Sequence, residues 1–206
     1  MCSSDLAFEN FVLMAVVIFG LQFVDRSFGP ILPLFIGELG IAAGRIPLIS
    51  GLLFSIAAGA GAIGHHYCAA LLTRRTATQL IATACAVAAL SGVIYVAARD
   101  LRWLFVATPI FGFAIGVATT AAYTAAAAVI PPNVRGTGFG LLTTASLIGL
   151  AVSPVVSGLL GATSIRAVWA LDVAGLLLLA IVVHRVGGSG DRGSKTPADE
   201  PVAENL

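Results

Sequence analysis

Asp25 and Arg26 stand side by side in a run that is otherwise largely apolar from Phe11 to Ile36. On a helix, neighbours point about 100° apart. Gln22 then falls angularly between the two, one turn back, and Gly29 falls one turn beyond Asp25. These four residues make one polar face. If the helix crosses a bilayer, each ionised group costs about 2.5–3.5 kcal/mol at mid-depth, so the face is expected to border a bundle interior or a water-filled cavity. The chemistry on offer is binding of a polar substrate or a proton. The competing reading is an interhelical salt bridge, or a pair near the membrane surface. Because the two side chains diverge, they are not expected simply to neutralise one another.

Other polar residues are weaker candidates. Asp172 lies two turns into a later apolar segment, and a structural or interfacial role is expected for it. Thr119, Thr120, Tyr123 and Thr124 could line a pore, with Tyr123 the best of them. The competing reading has the threonines bonding their own helix backbone. His65 and His66 are adjacent, so their rings diverge on a helix, and no carboxylate is near in sequence. No metal site is expected there, and no cofactor. Gly187-Gly188-Ser189-Gly190 spells a nucleophile-like G-x-S-G but sits in a polar tail. Gly136-Thr137-Gly138-Phe139-Gly140 follows an apolar segment rather than a strand, so it is no phosphate cradle. Neither supports an enzyme.

The elements that must position these residues follow from composition. Hydrophobic residues are 58% of the 206, charged residues 10%, and mean hydropathy is +1.00, against about 25% charged residues in soluble domains. Several apolar runs exceed the ~20 residues that a helix needs to span the hydrocarbon. The expected fold is an all-α membrane protein with six transmembrane helices. The bilayer is its first partner. Basic residues are scattered, so nucleic acid is not expected as a partner. Cys2, Cys68 and Cys85 suggest neither a disulfide framework nor a metal site.

The expected spans are 7–38, 46–72, 77–98, 103–130, 137–160 and 166–186. The first would be roughly 45 Å long if wholly helical, and Pro30 and Pro33 are expected to kink it. Gly112 and Gly116 form a G-x-x-x-G suited to close packing in the fourth, and Pro154 lies inside the fifth. Gly37, Gly40 and Gly44 mark the first connection. Residues 188–206 read as a disordered tail. Residues 1–6 read as a non-native leader, because a common sequencing-adapter end can encode Cys2-Ser3-Ser4-Asp5-Leu6; the natural chain would then continue upstream. A short native leader is the alternative.

Arg74, Arg75, Arg135, Arg185, Arg192 and Lys195 fall on the side of the two ends. Arg45, Arg99, Arg102 and Arg166 fall opposite, so both ends are expected to be cytoplasmic. Gly51-Leu52-Leu53 in the second span is echoed by Gly140-Leu141-Leu142 in the fifth. That fits a 3+3 inverted repeat.

Over residues 7–186 the chain resembles the carboxy-terminal six-helix half of the major facilitator superfamily, and more narrowly its drug:proton antiporter branch. Phe23-Val24-Asp25-Arg26-Ser27-Phe28-Gly29-Pro30-Ile31-Leu32-Pro33-Leu34 resembles helix seven of such transporters. Residues 130–140 resemble the connection between helices ten and eleven, and Gly149 to Gly158 the helix-eleven segment. The family's G-x-x-x-D-R-x-G-R-R loop is degenerate here, with Ala70 at the acid position and only Arg74-Arg75 retained. Helix four's arginine is absent too, as suits the second half. The resemblance implies one half of a twelve-helix fold, with the first and fourth spans lining a cavity and an amino-terminal half as partner. It implies proton-coupled efflux of small organic molecules by alternating access from the cell membrane. Gln22, Asp25, Arg26 and Tyr123 would lie along the path. A metabolite, sugar or siderophore exporter, or a stand-alone six-span scaffold, are the alternatives.

Overall fold

A computed structural model describes residues 3–191. The described residues form six long helices and no strand: α1 (Ser3–Glu38), α2 (Ile46–Leu72), α3 (Ala77–Ala97), α4 (Leu101–Val129), α5 (Arg135–Gly161) and α6 (Ile165–Asp191). Each contains a stretch long and apolar enough to cross a membrane. With no water in the hydrocarbon, backbone groups must bond within the segment, and continuous helices do that.

Local chemistry sets the ends. Thr76 and Gln79 form a capping box at the start of α3: the Gln79 amide donates to Thr76 Oγ1 at 3.3 Å and the Thr76 amide to Gln79 Oε1 at 3.4 Å. Ile130 ends α4 in extended geometry (ψ 120°) before Pro131. Of the three glycines expected in the first connection, Gly37 lies inside α1. Gly40 takes the left-handed turn at φ 81°. Helix α6 runs past the expected end of its span, through Gly187 to Asp191. The early part of the expected tail therefore continues the helix, since propagation adds a hydrogen bond per residue once a helix exists. Residues 192–206, and 1–2 of the expected leader, lie outside the described residues.

The prolines do not break their helices. α1 is continuous through Pro30 and Pro33, α5 through Pro154, and α4 through Pro109, which the sequence reading had not marked. Each proline withholds one intrahelical donor. Neighbouring helices and side chains supply the order such segments need in a membrane.

Packing follows a swapped pattern. α2 lies along α4 and α5 along α1, while α3 and α6 pack on each other behind them. Both α2 and α5 bury only thin faces. Leu53, Gly64 and Cys68 are buried in α2, and Leu142, Ser153 and Ser157 are buried in α5 at one constant offset. The Gly-Leu-Leu echo thus continues as a matched pattern of burial. In contrast, α4 buries thirteen residues along its length.

Candidate functional site

The seam between α2 and α4 fixes where space can exist. A Cβ built on Gly112 would lie 2.3 Å from the Ala57 carbonyl oxygen, and one on Gly116 would lie 2.3 Å from that of Gly61. Gly64 approaches the Phe113 carbonyl oxygen equally closely. Backbone therefore rests on backbone, as small residues allow in lipid. On the far side of α1, Gly149 of α5 abuts the Phe19 carbonyl, and Ser153 Oγ donates to the Phe23 carbonyl at 2.6 Å. With α5 tight on α1 and α2 tight on α4, an open cavity of about 540 Å³ remains between α1, α2 and α4. That size suits an organic molecule of drug-like dimensions.

Gln22, Asp25, Arg26 and Gly29 all line this cavity, so the polar face of α1 borders a single space. Arg26 Nε sits 3.5 Å from Asp25 Oδ2. Divergent side chains were not expected simply to neutralise one another, yet the two meet. The Cα–Cβ bonds do diverge, but arginine's flexible stem carries its head back to its neighbour. Both side chains remain substantially open, at 53% for Arg26 and 40% for Asp25. The pair is therefore a weakly held one, free to exchange partners with a polar or charged ligand.

His65 completes the wall. Helix α2 brings it into the cavity that holds Asp25, although no carboxylate is near it in sequence. Its Nδ1 lies 2.7 Å from Thr120 Oγ1. Its neighbour His66 turns away and meets the Tyr67 ring edge-on. Tyr123 does not share the main cavity. It lines a second recess of about 530 Å³ with Thr120, Thr124 and Phe139. His65 and Thr119 belong to both spaces and separate them. Thr124 bonds the Thr120 carbonyl of its own helix at 2.8 Å, as solitary threonines commonly do.

The cavity floor is aromatic. Phe28 stands among Phe54, Tyr95, Phe111 and Trp169, with ring centroids 5.4–5.9 Å away. Rings from α1, α2, α3, α4 and α6 thus meet at one residue. Tyr95 stacks on Trp169 at 4.7 Å and bonds Thr108 through its hydroxyl at 2.5 Å. Sequence reading had given Phe28 no role, because one aromatic in an apolar run carries no signal of being a hub.

Asp172 lies behind that floor. It is 4% exposed, and its Oδ2 is hydrogen-bonded to Ser27 of α1. Its depth comes from the rotation of α6. Gly20 and Gly92 admit Leu179 and Val173 so closely that a Cβ on either would clash. At the other end of this layer, Arg166 donates to the Val96 and Ala98 carbonyls at 2.5 and 3.1 Å and lies over the Phe35 ring. It thereby satisfies the carbonyl end of α3.

Six spanning helices, a swapped packing pattern and a polar cavity lined by the first and fourth helices are on view. The profile of the Major Facilitator Superfamily matches residues 14–204. The chain belongs to that superfamily. This major facilitator chain is 31% identical over 170 residues to the multi-drug resistance efflux pump PmrA homolog of Lactococcus lactis subsp. lactis (strain IL1403), a match covering 80% of the chain and 41% of that protein. Its fold is also similar to a crystal structure of the peptide transporter POT in complex with sulfate. The TM-score is 0.74 at 14% identity, over 90% of this chain and 41% of that one. The chain thus spans about two fifths of each relative's length. It is a multi-pass protein of a transporter family, with the six helices of one half of the superfamily fold.

Proposed function

We propose that this chain is the carboxy-terminal half of a secondary transporter that exports small organic molecules. The cavity between α1, α2 and α4 is its share of the translocation path. The observation that carries the reading is the convergence of Gln22, Asp25, Arg26 and His65 on one open space of about 540 Å³. Ionisable groups at membrane depth are costly unless they serve a cavity or pathway. Likeness to an efflux pump over 80% of the chain favours amphipathic organic cargo. An aromatic floor under a carboxylate–guanidinium rim suits such molecules: rings for the apolar body, charges for the polar end.

In this reading, an amino-terminal six-helix half faces the thinly buried helices α2 and α5. Alternating access comes from rocking the halves about the cavity. Asp25 exchanges protons, with Arg26 and His65 setting its charge environment. Tyr123 serves the neighbouring recess toward the cytoplasmic end, and both termini are cytoplasmic.

The test is ethidium efflux from proteoliposomes under an imposed pH gradient, with the twelve-helix protein that carries this chain as its second half. Asp25→Asn is expected to abolish most gradient-dependent efflux, and residues 1–206 alone to give none. Efflux by residues 1–206 alone would overturn the half-transporter reading. Unchanged efflux by Asp25→Asn would remove Asp25 from the path.

A further inference from the structure

Ser27 has one hydroxyl hydrogen and two acceptor contacts. Its Oγ lies 2.8 Å from the carbonyl oxygen of Val24, one turn back on α1. The same Oγ is bonded to Asp172 Oδ2 on α6. Ser27 is 0% exposed and Asp172 is 4% exposed, so the hydrogens must be accounted for within the protein. A backbone carbonyl only accepts, and an ionised carboxylate only accepts. One serine hydrogen can serve both only as a divided, three-centre bond. Each contact is a full hydrogen bond of its own only if the hydrogen between Ser27 and Asp172 belongs to the acid, with Asp172 donating to Ser27 Oγ and Ser27 donating to the Val24 carbonyl.

The rest of the site agrees. Among the described residues, Asp172 Oδ1 is buried without a hydrogen-bond partner, as is the indole Nε1 of Trp169, one turn earlier on the same helix. A neutral acid leaves a carbonyl-like oxygen unpaired there, whereas an ionised one would leave half of a buried negative charge unpaired, which is far more costly. Among the described residues, no cation pairs with Asp172 to offset such a charge. On α1, Asp25 and Arg26 pair with each other in the cavity, and Glu9 and Glu38 lie near the two ends of the helix. On α3, Tyr95 bonds Thr108, and Cys85 lies nearly three turns away from it along the helix. On α5, the one titratable residue is Arg135, its first. On α6 itself, Arg166 is held by α3 carbonyls, and His184 and Arg185 lie more than three turns on.

We infer that Asp172 is a proton-binding residue of this chain, separate from the cavity pair and linked to α1 through Ser27. Proton release is a simple ionisation: the Asp172 O–H bond breaks, the proton passes to water, and the electron pair stays on the carboxylate. The Ser27 hydroxyl then turns to donate to Asp172, and the Val24 carbonyl loses its side-chain partner. Serine back-bonding of this kind bends helices. Ser27 lies directly beside Arg26, one turn before Pro30 and nearly two turns before Pro33. The proton on Asp172 is thus coupled to the conformation of the segment that presents Asp25 and Arg26. The hydrogen count at Ser27 is the same whether or not the chain transports anything.

Infrared spectroscopy of the full chain in lipid bilayers tests it. Exposed carboxylates are ionised at pH 7, so the carboxylic-acid C=O stretching region is nearly free of other signals. A carboxylic-acid band is expected at pH 7, lost in Asp172→Asn and retained in Asp25→Asn. In Ser27→Ala the band should persist but move to the frequency of an acid without an acceptor. This second arm decides the matter even if Asp172→Asn fails to fold. Absence of any such band at pH 7 would overturn the inference, as would a band untouched by Asp172→Asn. A band that does not move in Ser27→Ala would overturn the link to α1.

Discussion

The two sides of α1 follow opposite rules within a few residues of each other. One side presents Gln22, Asp25, Arg26 and Gly29 to an open cavity. The other presents Val24, Ser27, Ile31 and Phe35, all at most 3% exposed, to the interior. On the open side a carboxylate and a guanidinium hold each other loosely. On the closed side, ring meets ring and the acid contributed by α6 meets a hydroxyl. Placing ionisable groups where they can exchange partners requires that the opposite face be rigid, because a helix that could roll would lose the alignment. The closed side is where substitutions should cost stability, and the open side is where they should cost function.

The largest effect is expected from Trp169→Ala. Trp169 touches Phe28, Phe35 and Tyr95 and is 3% exposed. Truncating a buried aromatic removes both its transfer energy and its packing, about 3–5 kcal/mol. Unfolding by sodium dodecyl sulfate titration in mixed micelles should show a loss of that order. A loss below about 1 kcal/mol would mean the aromatic cluster does not hold α1 in register.

Gly116→Ala comes next. Its added Cβ would meet the Gly61 carbonyl oxygen at 2.3 Å, a backbone atom that cannot swing aside. Overpacking of this kind costs about 1–3 kcal/mol. Gly59→Ala, on the same partner helix but with nothing within 4 Å, is the control and should change little. Equal effects of the two in the same titration would remove the glycine seam as the feature that sets the cavity's width.

These contacts also explain what the sequence could convey. The six spans were legible because apolar length at low charge density has one economical solution in a bilayer. The polar face of α1 was legible because a single helix's geometry relates residues three and four apart. What could not be read was rotation between helices. Whether α2 turns His65 toward Asp25 depends on Gly112 and Gly116 meeting Ala57 and Gly61, a contact between segments some fifty residues apart. Asp172 was expected at an interface or in a structural role, and its depth was hidden for the same reason. Tyr123 was grouped with Asp25 because both helices face inward, yet the two occupy recesses divided by His65 and Thr119. The Asp25–Arg26 contact is not legible in Cβ directions, because arginine's long side chain reaches back to its neighbour.

On the open side, Asp25→Asn should barely touch stability. Loosely held, solvent-open ion pairs contribute about 0–1 kcal/mol, so the detergent titration should move by no more than that. Transport by the twelve-helix protein should nevertheless fall sharply. A stability loss as large as that of Trp169→Ala would show that the pair is a buried fastening rather than part of a working surface.

Gly29 carries the smallest expected change and the sharpest separation of the two sides. It lines the cavity, and a Cβ built on it meets nothing within 4 Å. A helical Gly→Ala change removes excess backbone freedom worth about 0.5–1 kcal/mol. Gly29→Ala should therefore leave stability unchanged or raise it slightly, in contrast to the same change at Gly116. Gly29→Leu extends the argument: its side chain would enter the cavity beside Asp25 instead of the core, so folding should be retained while ethidium efflux falls. If Gly29→Leu unfolds the protein as Gly116→Ala is expected to, the space beside α1 is packed rather than open, and the contrast between the two faces fails at its centre.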